Sequence, residues 1–219
     1  MSRFKAFVFD MDGVIFDSER AVIESWKIVA PQYGITDIEE HCFEAIGRNS
    51  EVTRKLFVER YGDKLPYDEM KAKKGELIWK MFEEKKVAIK PGVRELLSYL
   101  KEHGYKVALA SSTSHAMVTK ELTIVELIDY FDELVCGNMV SRSKPEPDIF
   151  LEACRRIGEE PADCIAVEDS FNGIRSASSA GLYTIMVPDL LAPDEEIRSL
   201  CDAVYESLNG VLGWIREDE

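Results

Sequence analysis

Two aspartates one residue apart close an apolar run near the start of the chain, Phe7-Val8-Phe9-Asp10-Met11-Asp12-Gly13. Three other apolar runs end in polar residues: Ser111-Ser112-Thr113 follows Val107-Ala108-Leu109-Ala110, Lys144 lies beyond Leu134-Val135-Cys136, and Glu168-Asp169 follows Ile165-Ala166-Val167. If each run is a strand of one parallel sheet, all four polar groups lie along its carboxyl edge, where open α/β proteins hold ligands. Pooled there, they supply carboxylates, a hydroxyl and one ammonium. Such a set suits a divalent cation and a phosphoryl group, because hard oxygen donors hold Mg²⁺ while metal and lysine screen phosphate charge from the acids. Asp12 projects to the same side as Asp10 in an extended segment. Aspartate also forms turns at strand ends, so this pair alone does not decide the chemistry.

The elements that must carry these residues can be read from periodicity. The first strand, Lys5–Phe9, is apolar on both faces, as a central parallel strand covered by helices must be. Ser18 is placed to cap a helix over Glu19–Gln32, with Gly34 as its stop. Helical patterns alone follow, over 38–46, 51–61 and 67–84. At Lys90-Pro91-Gly92 the chain turns to strands alternating with helices: strands at 106–110, 133–136, 164–167, 184–187 and 203–205. That alternation predicts βαβ units and a parallel, doubly wound α/β sheet. The expected organisation is therefore a Rossmann-like core from residues 1–16 and 88–219, with an all-helical insert over 17–87.

Bulk composition narrows the class further. The formal net charge of −14 over 219 residues argues against a nucleic-acid or anionic-membrane surface. An anionic substrate would need local positive charge. The five cysteines are unpaired by spacing and read as residues of a reduced, intracellular protein. No run approaches bilayer length and no leader pattern opens the chain, so a cytoplasmic location is expected, with no obligate protein partner implied.

Asp10-Met11-Asp12-Gly13-Val14, Ser111, Ser143-Lys144-Pro145-Glu146-Pro147-Asp148 and Glu168-Asp169-Ser170 resemble, in order, the four motifs of the haloacid dehalogenase superfamily. The resemblance covers nearly the whole core, and the insert is similar to that superfamily's C1-type cap. It implies that Asp10 attacks phosphorus to form an aspartyl-phosphate. Position and charge neutralisation, which this step mainly needs, are within reach of a metal-anchored carboxylate. Asp12 would protonate the leaving oxygen and later activate water. Ser111, the Ser112 backbone N–H and Lys144 would bind the phosphoryl oxygens, and Gly13 would let the backbone approach them. The implied metal site comprises Asp10, the Asp12 carbonyl and Asp169, with Glu168 adjacent or acting through water. As a bare loop acid, Glu168 would simply be solvated.

An acid at position 12 disfavours the halide-displacing and ion-pumping branches of the superfamily. Among C1-capped proteins the chain looks most like β-phosphoglucomutases and small sugar-phosphate phosphatases. Arg48 and Lys73 fall where the mutase has cap residues of those types, and His115 lies in the loop after Ser111; all three are candidate substrate contacts. Against the mutase, Val22 stands four residues before Trp26, where that group carries histidine. The expectation is a Mg²⁺-dependent phosphatase of small phosphorylated metabolites. A phosphomutase is the second reading, and a non-catalytic phosphate-binding protein the third.

Overall fold

The computed structural model describes residues 3–46 and 50–217. Its chain divides into two compact units, one made of the chain up to Asp17 and from Ile89 onward, the other of Ser18–Ala88.

The first unit is a six-stranded parallel sheet in the order β3-β2-β1-β4-β5-β6. The strands are β1 (Ala6–Phe9), β2 (Lys106–Ser111), β3 (Glu133–Cys136), β4 (Cys164–Glu168), β5 (Tyr183–Met186) and β6 (Ala203–Val204). Every residue of β1 is buried, because β1 lies between β2 and β4 with helices on both faces. In register, Phe9 pairs with Leu109 on one side and Val167 on the other. The chain runs outward from β1 through β2 to β3, then crosses back to β4 on the opposite side. That reversal opens a crevice beyond the carboxyl ends of β1 and β4, the switch point of an open α/β sheet.

One layer under the sheet buries Ala6, Val8, Ala108, Ala110, Val135, Ile149, Phe150 and Ala166. On β1, Phe7 and Phe9 alternate with these and are fully buried, their rings stacked 5.8 Å apart. Burying a ring of that size contributes roughly 1.5–3 kcal/mol. The helices of this unit are α5 (Val93–Glu102), α6 (His115–Ile124), α7 (Asp148–Ile157), α8 (Phe171–Ala180), α9 (Glu195–Leu200) and α10 (Leu208–Glu217). The predicted strands and core helices appear in their predicted order. Three short 3₁₀ turns, at Ile128–Tyr130, Gly137–Met139 and Pro161–Asp163, add to them. Single turns of this kind leave no periodic trace in a sequence.

The second unit consists of α1 (Ser18–Val29), α2 (Ile38–Ala45), α3 (Ser50–Tyr61) and α4 (Tyr67–Glu83). Helix α1 is shorter than its apolar pattern. It gives way at Val29 to a 3₁₀ turn over Ala30–Tyr33, closed by Gly34 at φ 79°. Pro31 has no N–H to continue the helical ladder. Ser18 is the first residue of α1 and not its cap; its buried hydroxyl has no hydrogen-bond partner among the described residues. The interior of this unit is an aromatic cluster: Trp26 lies 6.1 Å from both Phe57 and Tyr67, and Phe57 lies 4.8 Å from Tyr67. No helix among the described residues is long and apolar enough to cross a membrane.

Candidate active site

The site grows from the carboxyl ends of β1, β2 and β4. The chain leaves β1 at Asp10, whose N–H still donates to the Val167 carbonyl of β4 at 2.9 Å. It then folds into a tight turn, in which the Ile15 and Phe16 N–H groups both return to the Met11 carbonyl and Gly13 N–H donates to Phe16 O. This turn fixes the Asp10-Met11-Asp12 backbone without using either carboxylate. Gly13 has φ 85°, and a Cβ there would sit 2.2 Å from Asp169 Oδ2. Its lack of a side chain therefore makes room for a carboxylate, a constraint distinct from the phosphate approach expected of it.

Lys144, from the loop between β3 and α7, is the hub. Its Nζ donates to Asp10 Oδ1 at 2.5 Å, Glu168 Oε1 at 2.8 Å and the Ala110 carbonyl at 2.9 Å. Its side chain is 6% exposed, against 10% for Asp10 and 1% for Glu168. An ammonium taken out of water this far needs all three donors occupied, which is what these partners do.

Glu168 ends β4 and is no solvated loop acid. Its second oxygen, Oε2, accepts from the Asp169 N–H at 2.8 Å, the Ser170 N–H at 2.7 Å and the Ser170 hydroxyl at 3.0 Å. Ser170 in turn caps α8 by accepting from the Gly173 N–H. A Cβ on Gly173 would come within 1.6 Å of Glu168 Oε1, so α8 can start here only with glycine at that position. Neither Ser170 as a Glu168 partner nor Gly173 is marked out by the sequence motifs; a serine three residues before a glycine at a helix start is the signal that was there to find.

Oxygens of Asp10, Glu168 and Asp169 all lie within 4.8 Å of one another. The donors are all carboxylate oxygens, which suits a hard divalent cation. Lys144 is the ammonium among them, so acidic charge exceeds basic charge where an anion would have to enter. A cation fits this set. The Asp12 side chain is not part of that cluster. Its Oδ2 accepts from the Thr113 hydroxyl at 3.1 Å.

Burial by itself disfavours the Asp10 carboxylate, and the Lys144 ammonium held against its Oδ1 opposes that effect. Burial also disfavours the Lys144 ammonium, but the charges of Asp10 and Glu168 outweigh it and hold the group above its ordinary range. Lys144 is thus a permanent cation.

Ser111, the last residue of β2, is fully buried, and its Oγ accepts from the Thr113 N–H at 3.1 Å. Ser112 follows it, exposed. His115 opens α6 on the surface, its N–H donating to Asn138 Oδ1. The structure brings Asp10, Asp12, Gly13, Ser111, Lys144, Glu168 and Asp169 together at one sheet edge. Lys73 lies on α4 in the helical unit, donating to Tyr33 at 2.6 Å and paired with Glu69 at 3.0 Å. Arg48 falls outside the described residues.

A family model, haloacid dehalogenase-like hydrolase, matches residues 4–181, and the chain belongs to that family. A phosphorylated carbohydrates phosphatase of Thermotoga maritima is 33% identical over 181 residues, covering 83% of each chain. The β-phosphoglucomutase of Bacillus subtilis is 32% identical over 219 residues, covering 94% of each. Of a larger relative, the bifunctional riboflavin kinase/FMN phosphatase of Arabidopsis thaliana, 31% identical over 207 residues and 91% of this chain, the chain spans 54%. A crystal structure from Thermotoga maritima, solved as a candidate β-phosphoglucomutase, has a TM-score of 0.83 at 29% identity. It covers 98% of this chain and 99% of its own.

Proposed function

We propose that this hydrolase is a Mg²⁺-dependent phosphatase of small phosphorylated metabolites, sugar phosphates foremost, acting through an aspartyl-phosphate on Asp10. The observation that carries the reading is the buried Lys144 held between Asp10 and Glu168, beside Asp169, at the switch point of the sheet. A lysine so placed orients the nucleophile and faces the phosphoryl oxygens as they arrive. Phosphatase-named relatives of similar length support it.

In the first step an Asp10 oxygen attacks phosphorus, and the leaving oxygen departs with the electron pair and a proton from Asp12. In the second, Asp12 takes a proton from water, which attacks the aspartyl-phosphate and frees Asp10. Ser111 and the Ser112 N–H bind phosphoryl oxygens with Lys144 throughout. Asp10, Asp169 and the Asp12 carbonyl would hold Mg²⁺, with Glu168 alongside. The metal would supply neutralisation of the carboxylates and Lewis-acid polarisation of the phosphoryl group. Residues 1–16 and 88–219 are read as the catalytic core and 17–87 as a C1-type cap, where Arg48 and Lys73, with His115 of the core, contact the rest of the substrate. It is the reading of a cytoplasmic enzyme that needs no nucleic acid, membrane or obligate protein partner.

Incubation with a panel of sugar phosphates and Mg²⁺ tests the proposal, and release of inorganic phosphate is the expected result. The phosphomutase is a second reading because the B. subtilis mutase aligns over almost the whole chain. Val22 weighs against it, since a mutase must shield the phosphoenzyme from water until a sugar phosphate arrives. Isomerisation of β-glucose 1-phosphate that depends on a bisphosphate primer and releases no phosphate would establish the mutase. Failure to turn over any phosphoester would leave a phosphate-binding protein.

A further inference from the structure

We infer that Thr113 is a positioning residue for proton transfer: its hydroxyl holds one oxygen of Asp12 so that the transferable proton sits on the other. The inference rests on the reading of Asp12 as general acid and base.

The geometry is specific to this side chain. Thr113 Oγ1 donates to Asp12 Oδ2 at 3.1 Å, the one hydrogen bond of the Asp12 carboxylate among the described residues. The threonine backbone is tied at both ends, its N–H donating to Ser111 Oγ at 3.1 Å and its carbonyl accepting from the Gly137 N–H at 3.1 Å. Its hydroxyl is thereby aimed from a fixed platform between the ends of β2 and β3. Asp12 is half-buried, and the turn after β1 fixes its backbone but engages neither carboxylate oxygen.

A carboxylic acid has two oxygens, and only one carries the proton. Oδ2 is engaged by the threonine hydroxyl and Oδ1 has no hydrogen-bond partner among the described residues, so Oδ1 is the oxygen left to exchange a proton with the substrate. In the first step that proton passes to the leaving oxygen as the P–O bond breaks and the Asp10 Oδ–P bond forms. In the second step Oδ1 accepts a proton from water, and Oδ2 keeps the threonine hydroxyl in both. Without Thr113 the carboxyl can turn about its Cβ–Cγ bond and present the wrong oxygen. Positioning of this kind governs proton transfer and leaves phosphoryl binding untouched.

Proton donation matters only when the leaving group is a poor one. The test is therefore kcat/KM with Mg²⁺ across ring-substituted phenyl phosphates, from 4-nitrophenyl, which leaves as a stable anion, to 4-methoxyphenyl, which does not. Thr113→Val is expected to lose about 10-fold on the 4-methoxyphenyl ester and less than about 2-fold on the 4-nitrophenyl ester. Thr113→Ser, which keeps the hydroxyl, is expected to restore both to within about 2-fold of the parent. A uniform loss across the series, or none, would overturn the inference, since a purely structural or phosphate-binding role does not discriminate between leaving groups. Asp12→Asn separates the two ideas: it is expected to show the same selective loss, about 100-fold or more on the poor leaving group. If Asp12→Asn is selective and Thr113→Val is not, the Thr113 inference fails while the Asp12 reading stands. If Asp12→Asn is not selective, or no aryl phosphate turns over, both fail.

Discussion

The two units of this protein handle charge in opposite ways. At the edge of the sheet, Lys144, Asp10 and Glu168 are almost sealed from solvent and each is matched by short, directed contacts. In the helical unit the ion pairs lie in water: Arg60 with Asp37 and Glu44, Arg54 with Asp68, and Lys73 with Glu69. What is buried there is aromatic, with His41 packed edge-on against Phe57 at 5.5 Å. A cavity of about 180 Å³ lies within that unit, lined by Trp26, His41, Tyr67, Lys71 and Lys74 among others. Neither ring nitrogen of His41 has a hydrogen-bond partner among the described residues, and burial lowers its pKa. A buried charge tolerates few arrangements because every loss of a partner leaves an uncompensated ion. A solvated one can be exchanged at small cost. Substitution is therefore costly at the sheet edge and cheap on the helical surface.

The largest expected effect breaks the site at its centre. Asp10→Asn should lower phosphate release by roughly 10⁴-fold or more, with the circular dichroism of the parent; activity near the parental level would remove Asp10 as the nucleophile. Chelation should come next. Treatment with EDTA is expected to abolish turnover and Mg²⁺ to restore it, and Mg²⁺ should raise the melting temperature of the parent but not of Asp169→Asn. Full activity in EDTA would sink the metal reading.

The contrast between the units can be read directly from two lysines. Lys144→Met leaves Asp10 and Glu168 buried without their cation and should destabilise the fold by about 3–5 kcal/mol in urea titrations. Lys73→Met loses a solvated pair and should unfold close to the parent. Equal effects would contradict the comparison.

A smaller effect concerns Glu121 on α6, a carboxyl only 5% exposed whose Oε2 has no hydrogen-bond partner among the described residues. Burial, and then the charge of Asp12, push it up to about 8 from an ordinary 4.5. A raised folded value means that its contribution to stability is complete below about 4.5 and is lost as the pH climbs through about 8. Glu121→Gln should remove that loss, flattening the stability curve in this window by up to about 1.4 kcal/mol per pH unit. Parallel curves for parent and variant would show that Glu121 ionises freely.

Much of this was legible in the residues. Parallel strands buried on both faces are continuous apolar runs, so the sheet could be placed from pattern alone, and the polar residues ending those runs marked its edge. The helical unit was legible as helices but not as a surface, because a lysine such as Lys73 has the same sequence context whether it meets solvent, Glu69 or a ligand. Glu121 has the sequence context of any charged helix position, since neighbours in sequence do not reveal that the fold buries it.

The sequence by itself determined the order of elements, the motifs and the kinds of groups gathered at the sheet edge, for these depend on local periodicity and on where strands must end. Only the tertiary structure decided how those groups share their bonds: that Glu168 is saturated by Lys144, Asp169 and Ser170, that Gly13 and Gly173 make room for carboxylates, and that Thr113 holds Asp12. The Thr113–Asp12 contact alone joins residues 101 positions apart, and the geometry of such contacts is set by the packing of whole strands and helices, which no local pattern records.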